Sequence, residues 1–529
     1  MSKPTTVIEY VLQRIKSLGV TDIFGVPGDF VYPVCDAIID DEELQWISCT
    51  NELNASYAAD GYARTRGVGV LVSTYGAGEL CTLGGLAGAH AESSQLISLT
   101  GMPGLAEQRK KLRYHHMIGD QDPDYDLFVQ MTRPLTAGGD GAVVITPQNC
   151  VYETERLIAA MRYYSKPINL AFPRDVPHAP VIMPSEPLPI PLSHPTCDPQ
   201  RLAWLAQEIC YRLHQAKQPC VIPGYLLRRH QLVDQARVLI NKTGLPFVDL
   251  FQGRGIVGMD HPNYIGSYMG QYHGWADPWV TGWVESSDCI LALGTESHDF
   301  NNGFHTLAYD PRALIKIMPH SVQIGDHCYE NIHMQELLTD LIDKLDLRLN
   351  SHPPLPESQT AIGSPLLSDS PLNYEALYQQ IQAFIKPGDI LISDTAMASM
   401  CFSARAELPA GVDLESQLSW GAIGWGTPAA LGHAIAAPER RCVILAGEGG
   451  HQMTMNELGT FERYGVKPVF LVINNGGYLA ERVTNRNPDE IYNDLPPWQF
   501  SELPKALGCH WLTRKISRAD GVGKRFKRG

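Results

Sequence analysis

Glu448 and Asn475 are the residues whose type and spacing first suggest chemistry. A strand signal over Cys442–Ala446 ends in Gly447-Glu448-Gly449-Gly450, a helix is predicted over about 452–464, and a second strand, Val469–Ile473, ends in Asn474-Asn475. One βαβ unit with a right-handed crossover makes the two strands parallel and adjacent. Both carboxyl ends then open at one sheet edge, where α/β folds bind ligands. Glu448 and Asn475 supply oxygen ligands for a hard cation such as Mg²⁺, while Gly449 and Gly450 let a diphosphate approach backbone N–H groups. The plainer alternative is a glycine turn between strand and helix. A dinucleotide fingerprint is excluded, because Gln452 stands where GxGxxG needs its third glycine. Walker A, HExxH and GxSxG patterns are absent.

Elements that could position such a site run along the whole chain. Val7, Ile8, Val11, Leu12, Ile15 and Leu18 share one helical face, with Gly19 behind them as a C-cap. Strands are expected at Val20–Phe24, at 45–50 before the alanine-rich helix of NELNASYAADGYARTRG, and at 68–74 before the turn GAGE. The alternation returns at CILALG (289–294), with a helix near 334–345, and again at DILISD (389–394). Repeated βα units imply parallel sheets covered by helices. Residues 177–199 hold eight prolines and residues 353–371 five, which breaks the rhythm twice. The fold class is therefore α/β, as three consecutive parallel-sheet domains over 1–182, 183–352 and 353–529.

The bulk composition excludes several classes of function. With 529 residues, 44% of them hydrophobic and 19% charged, the chain reads as globular. A formal charge of −15 is poorly suited to a nucleic-acid backbone, so no nucleic-acid partner is expected. No run of 18 apolar residues suggests a membrane span. Glu9, Arg14 and Lys16 interrupt any signal-peptide core, and the twelve cysteines form no CxxC pair. A cytoplasmic location is expected.

Several motifs in fixed order carry a resemblance. GEGG (447–450), Asn474-Asn475 and GGYLAE (476–481) resemble the thiamine diphosphate motif. GVPGDF (25–30), NELNASYAADGYAR (51–64), RYHHMIGDQD (113–122), SWGAIGWGTPAALG (419–432) and YNDLPPWQFSELPKALG (492–508) resemble the non-oxidative 2-oxo acid decarboxylases of the pyruvate and indolepyruvate group. The resemblance implies pyrimidine-binding, linking and diphosphate-binding domains in that order. It also implies thiamine diphosphate with Mg²⁺, and active sites between subunits in at least a homodimer, with a dimer of dimers (homotetramer) expected.

The resemblance also assigns roles. Glu52 would hydrogen-bond the cofactor's aminopyrimidine ring and favour the tautomer that generates the nucleophilic ylide; by residue type alone it is a glutamate favoured near a helix N-terminus. Asp29, His115 and His116 would form the acid–base set, histidines being able to relay protons near neutral pH. Glu481 would lie near the departing carboxylate. Ile423 would bend the cofactor, Gly421 would offer it a carbonyl, and Thr395, Ala396 and Tyr478 would contact it. Glu448, Asn475 and the backbone oxygen of Gly477 would hold the metal. Ser399 and Met400 fall where pyruvate-specific members carry a bulky aromatic residue, which favours branched or aromatic 2-oxo acids over pyruvate.

Two features depart from the family pattern. Glu448 replaces the usual aspartate, lengthening the arm by about one C–C bond, roughly 1.5 Å, and an altered metal dependence is expected. Beyond Gly508 the motifs give out. Members of the family continue with a strand and a helix that helps cover the active site, whereas residues 514–529 carry seven Lys or Arg against Asp520 alone, a local +6. A solvated tail and easier water access to the site are expected. The function implied is decarboxylation of a 2-oxo acid to an aldehyde and carbon dioxide. Carboligation to an acyloin is the alternative, and a non-catalytic cofactor-binding subunit is the further one.

Overall fold

Thr6 starts the first helix, Val7–Ser17, by a capping box: its hydroxyl accepts the Glu9 N–H while the Glu9 carboxylate returns to the Thr6 N–H. The predicted apolar face is the buried one, with Val7, Ile8, Val11, Leu12 and Ile15 in the core. Burying each such side chain contributes about 2 kcal/mol. Gly19 follows with φ +86°, as a C-terminal glycine should. These coordinates come from a computed structural model that describes residues 5–120, 122–183, 196–271, 277–345, 362–363 and 371–518. Most of each proline-rich stretch and the end of the basic tail lie outside the described residues.

The chain divides into two compact units. The first comprises Met1–His194, Trp420–Gly477 and Leu495–Leu512. Its main sheet contains β1 (Asp22–Gly25), β2 (Gln45–Ser48), β3 (Gly69–Ser73), β4 (Leu96–Met102), β5 (Ala142–Val144) and β6 (Ile168–Pro173). Their order is β2-β1-β3-β4-β6-β5, and every pairing is parallel. After β1 the chain turns one way to β2, and after β3 it turns the other way to β4. A crevice therefore opens beyond the carboxyl ends of β1 and β3, the position at which such sheets take ligands. The first unit also holds the predicted βαβ unit: Cys442–Gly447 pairs in parallel with Val469–Ile473, Gly447 lying opposite Ile473.

Close helix packing ties these parts of the first unit together. Helix Glu52–Arg66 lies against helix Gly426–Ala436. A Cβ at Gly61 would stand 2.1 Å from the Ala429 carbonyl oxygen, and one at Gly432 would stand 1.9 Å from that of Ala58. The small residues of AADGY and TPAALG thus allow backbone-to-backbone contact. Asp60 and Arg64 form a fully buried pair at 3.0 Å, with the Trp425 indole N–H on Asp60 at 2.8 Å. Removing one partner of such a pair costs about 3–5 kcal/mol.

The second unit comprises Pro195–Ser419, Tyr478–Asp494 and Thr513–Gly529. It contains β7 (Pro219–Pro223), β8 (Phe247–Asp249), β9 (Tyr264–Ser267), β10 (Cys289–Leu293), β11 (Leu314–Met318), β12 (Ser321–Ile324) and β13 (His327–Glu330). Their order is β13-β12-β11-β10-β7-β8-β9; only the β11–β12 and β12–β13 pairings are antiparallel. A parallel pair, Ile390–Ser393 with Asp413–Ser416, completes its strands. The start of the basic tail is not free: Arg518 bridges Pro371, and the Leu372 N–H donates to Ser517 at 3.0 Å.

Two sequence expectations shift. The first strand begins at Asp22 rather than at Val20. The single helix expected over 452–464 is three pieces: Glu448–Thr454, a 3₁₀ turn Met455–Glu457, and Leu458–Arg463. The break falls where the Thr454 hydroxyl donates to the Gly424 carbonyl at 2.7 Å and Glu457 turns into the protein.

Candidate active site

Glu448 opens its helix directly after the strand, 2% exposed, and its position explains the turn opposite. One carboxylate oxygen, Oε1, accepts three backbone N–H groups, from Asn475 at 3.1 Å, Gly476 at 2.7 Å and Gly477 at 3.0 Å. The Gly477 N–H also reaches Asn475 Oδ1 at 3.3 Å. Glu448, Asn475 and Gly477 are therefore together, as the sequence expected. Gly449 and Gly450 are buried in the first turn of the helix. The loop carrying Gly421 and Ile423 lies against them: a Cβ at Gly424 would stand 2.9 Å from the Gly450 oxygen. Gly421 and Gly424 take φ of +71° and +87°, which suits glycine.

Asp29, His115 and His116 meet at the other crevice, around Phe30. His115 Nε2 stands 3.4 Å from Asp29, and the two histidine rings pack edge to face at 4.5 Å. His116 Nδ1 is 2.8 Å from the Tyr75 carbonyl oxygen. A carbonyl only accepts, so Nδ1 carries the hydrogen and Nε2 is the nitrogen left for proton exchange. His116 holds φ +68°, an unusual conformation for a residue with a side chain.

Glu52 is the first residue of its helix, whose N-cap Asn51 accepts the Asn54 N–H at 2.8 Å. Its half-buried carboxylate has no hydrogen-bond partner among the described residues. A Cβ at Gly78 would meet Glu52 Oε1 at 3.0 Å and Thr74 Cγ2 at 3.1 Å, and one at Gly28 would meet Thr74 within 2.4–2.8 Å. Gly28, Thr74, Gly78 and Glu52 thus form one continuous surface at the β1/β3 crevice. Sequence reasoning missed Thr74, whose hydroxyl is buried with no hydrogen-bond partner among the described residues. A strand ending in Ser-Thr before a glycine-rich turn was the available signal. It also missed Glu79, 2% exposed, whose carboxyl burial pushes up to about 8.

The remaining expected residues belong to the second unit. Thr395 and Ala396 follow strand Ile390–Ser393, and Ala396 caps helix Met397–Arg405. The Ser399 hydroxyl is fully buried and donates to the Asp394 oxygen at 2.6 Å. Met400 packs in a cluster with Phe251, Met269 and Leu418. Glu481 lies on helix Leu479–Thr484, which packs against helix Met397–Arg405, and its side chain is exposed. The Tyr478 N–H is held by the Asn493 oxygen at 2.9 Å.

These residues fit a diphosphate cofactor with a hard cation. The oxygens of Glu448, Asn475 and Gly477 suit such an ion. Among the described residues no cluster of three or more His, Cys, Asp or Glu offers a competing metal site. The unpartnered Glu52 carboxylate and the glycine cradle at 28 and 78 suit a flat ring carrying a polar edge. No helix of the described residues is long and apolar enough to cross a membrane.

Residues 5–125 match the N-terminal TPP binding domain of the thiamine pyrophosphate enzymes, residues 206–345 their central domain, and residues 397–529 their C-terminal TPP binding domain. The last match runs past Gly508, where the recognisable motifs end. An α-keto-acid decarboxylase of Mycobacterium tuberculosis is 32% identical over 504 residues, covering 95% of this chain and 88% of that protein. Its Mycobacterium ulcerans counterpart is 33% identical over 521 residues, covering 98% and 89%. Among solved structures, benzoylformate decarboxylase from Polynucleobacter necessarius superposes with a TM-score of 0.76 at 17% identity, covering 99% of this chain and 96% of that one, and shares the fold. With relatives of this identity along nearly its whole length, and all three domains matched in order, the chain belongs to the thiamine pyrophosphate enzyme family.

Proposed function

We propose that the protein is a thiamine diphosphate-dependent 2-oxo acid decarboxylase releasing an aldehyde and carbon dioxide. The observation that carries this reading is the β1/β3 crevice. There an unpartnered carboxylate, Glu52, shares one surface with Thr74, and Asp29 with two histidines stands at the ends of the same strands. Relatives aligned over this whole region are named α-keto-acid decarboxylases. When bound, thiamine diphosphate supplies a nucleophilic carbon and an electron sink for the bond to the departing carboxylate.

The protein's own groups do the rest. Glu52 would offer its carboxyl to the ring nitrogen of the cofactor's aminopyrimidine, a task for a half-buried carboxyl with no hydrogen-bond partner among the described residues. His116 keeps Nδ1–H on the Tyr75 carbonyl and presents Nε2 for the proton that the product takes up. Asp29 orients His115, whose Nε2 stands 3.4 Å from its carboxylate. Glu481 would act on the carboxylate that leaves. Glu448, Asn475 and the Gly477 carbonyl would hold Mg²⁺, while Gly449 and Gly450 would admit the diphosphate. Gly421 and Ile423, and likewise Thr395, Ala396 and Tyr478, would each be cofactor contacts. The domains run 1–182, 183–352 and 353–529, and the working assembly is a cytoplasmic homodimer or a pair of dimers.

Ser399 and Met400 set the substrate range toward branched or aromatic 2-oxo acids. The test is a panel of pyruvate, branched and aromatic 2-oxo acids with cofactor and Mg²⁺, products identified by chromatography. Aldehyde from the larger substrates supports the reading; acyloin as the main product would reverse it in favour of carboligation.

A further inference from the structure

Glu457 is fully buried at the end of the 3₁₀ turn, nine residues beyond Glu448 in the same βαβ unit. Its Oε2 accepts the Thr50 N–H at 3.2 Å, the Thr50 hydroxyl at 2.7 Å and the Asn54 side-chain amide at 2.8 Å. These donors bracket Glu52, two residues before it and two after. The Asn54 amide also reaches Thr50 Oγ1 at 3.0 Å and Asn456 Oδ1 at 3.2 Å, so the donors are tied to one another as well as to Glu457. Burying a carboxylate is costly, and hydrogen bonds to its oxygens offset that cost. Starting the helix does not require this arrangement, since Asn51 already caps it.

We propose that Glu457 is a positioning residue for catalysis: it fixes the chain on both sides of Glu52 and so sets where that carboxylate meets the cofactor ring. The inference rests on the role proposed above for Glu52. A misplacement of about 1 Å can cost 10²-fold in rate, and Oε2 of Glu457 gathers three of the hydrogen bonds that anchor the segment carrying Glu52 to the βαβ unit. The role depends on the place of the acceptor, not on its charge. Glutamine keeps a carbonyl oxygen at the same reach, whereas aspartate keeps the charge but withdraws it by about one C–C bond, roughly 1.5 Å.

The experiment compares Glu457→Gln, Glu457→Asp, Thr50→Val and Glu52→Gln, singly and with Glu52→Gln combined with each, as holoenzymes. Turnover, KM, thermal midpoint and the cofactor's dissociation constant by fluorescence quenching are measured. Expected are a loss of under about 3-fold in kcat for Glu457→Gln and about 30–100-fold for Glu457→Asp, with KM and the dissociation constant within about 2-fold of the parent. Adding Glu457→Asp to Glu52→Gln should slow the enzyme no further, as for groups acting as a unit. A Glu457→Gln loss as deep as that of Glu457→Asp, or full additivity with Glu52→Gln, would overturn the inference. If Glu457→Asp does not fold, Thr50→Val decides by the same coupling, with a single-variant loss of about 5-fold expected. Parental turnover in Glu52→Gln would remove the role of Glu52 and this inference with it. A slow Glu52→Gln beside a fast Glu457→Asp removes the inference alone.

Discussion

The turn at Glu448 and the crevice at Glu52 both sit at carboxyl ends of parallel strands in the same unit, yet their carboxylates are treated in opposite ways. Glu448 is buried and one of its oxygens already holds three backbone N–H groups. Glu52 is half-buried and has no partner among the described residues. The saturated carboxylate fixes a loop and can lend only its second oxygen to an ion. The unsaturated one keeps its lone pairs for a ligand, and its place is fixed indirectly, through the neighbouring backbone. On the proposed reading anchoring and chemistry fall to different side chains, and substitutions should separate them.

The largest effect is expected at the crevice. Glu52→Gln should lower turnover by about 10³-fold, within the range for a positioned acid–base group, while the thermal midpoint stays within about 2 °C. A large drop in midpoint would make Glu52 structural and erase the contrast. Glu448→Ala should do the reverse in stability. Leaving three N–H donors without their acceptor should cost about 2–3 kcal/mol, read in denaturant titration. The milder Glu448→Asp should change the Mg²⁺ half-saturation of cofactor binding several-fold, because that ion tolerates little change in geometry. Equal half-saturation in both forms would mean that the extra methylene is inconsequential.

The smallest effect concerns Glu79, behind the crevice. Its folded carboxyl titrates at about 8 because burial disfavours the charge, against 4.5 in the unfolded chain. The stability it contributes is complete below pH 4.5 and is lost as pH rises through 8. Between pH 6 and 7 the unfolded chain has released this proton and the folded one keeps it, so stability should fall by about 1 kcal/mol. Chemical denaturation at the two pH values checks this, and Glu79→Gln should remove that part of the slope.

Much of this was legible because turn chemistry is local. A glycine-rich turn after a strand, two asparagines after the next, and a capped alanine-rich helix are written in adjacent residues, and the structure brings Glu448, Asn475 and Gly477 together. The Asp29 and His115 pairing was legible only through the resemblance, since 86 residues separate them. Thr74 and Glu457 were not legible. Thr74 matters because Gly28 and Gly78 close around it, and Glu457 because a helix expected to be continuous breaks and turns it inward. Both depend on packing between distant segments, which no local pattern encodes. Ser399 reads as a pocket residue by position, and its hydroxyl is tied to the backbone oxygen of Asp394.

The central claim is tested most directly by reconstituting the purified chain with and without thiamine diphosphate and Mg²⁺, supplying an aromatic 2-oxo acid, and measuring carbon dioxide and aldehyde together. Release of the two in equal amounts, only with the cofactor and lost in Glu52→Gln, is the predicted result. No carbon dioxide from any 2-oxo acid with cofactor bound, or release undiminished in Glu52→Gln, would contradict it.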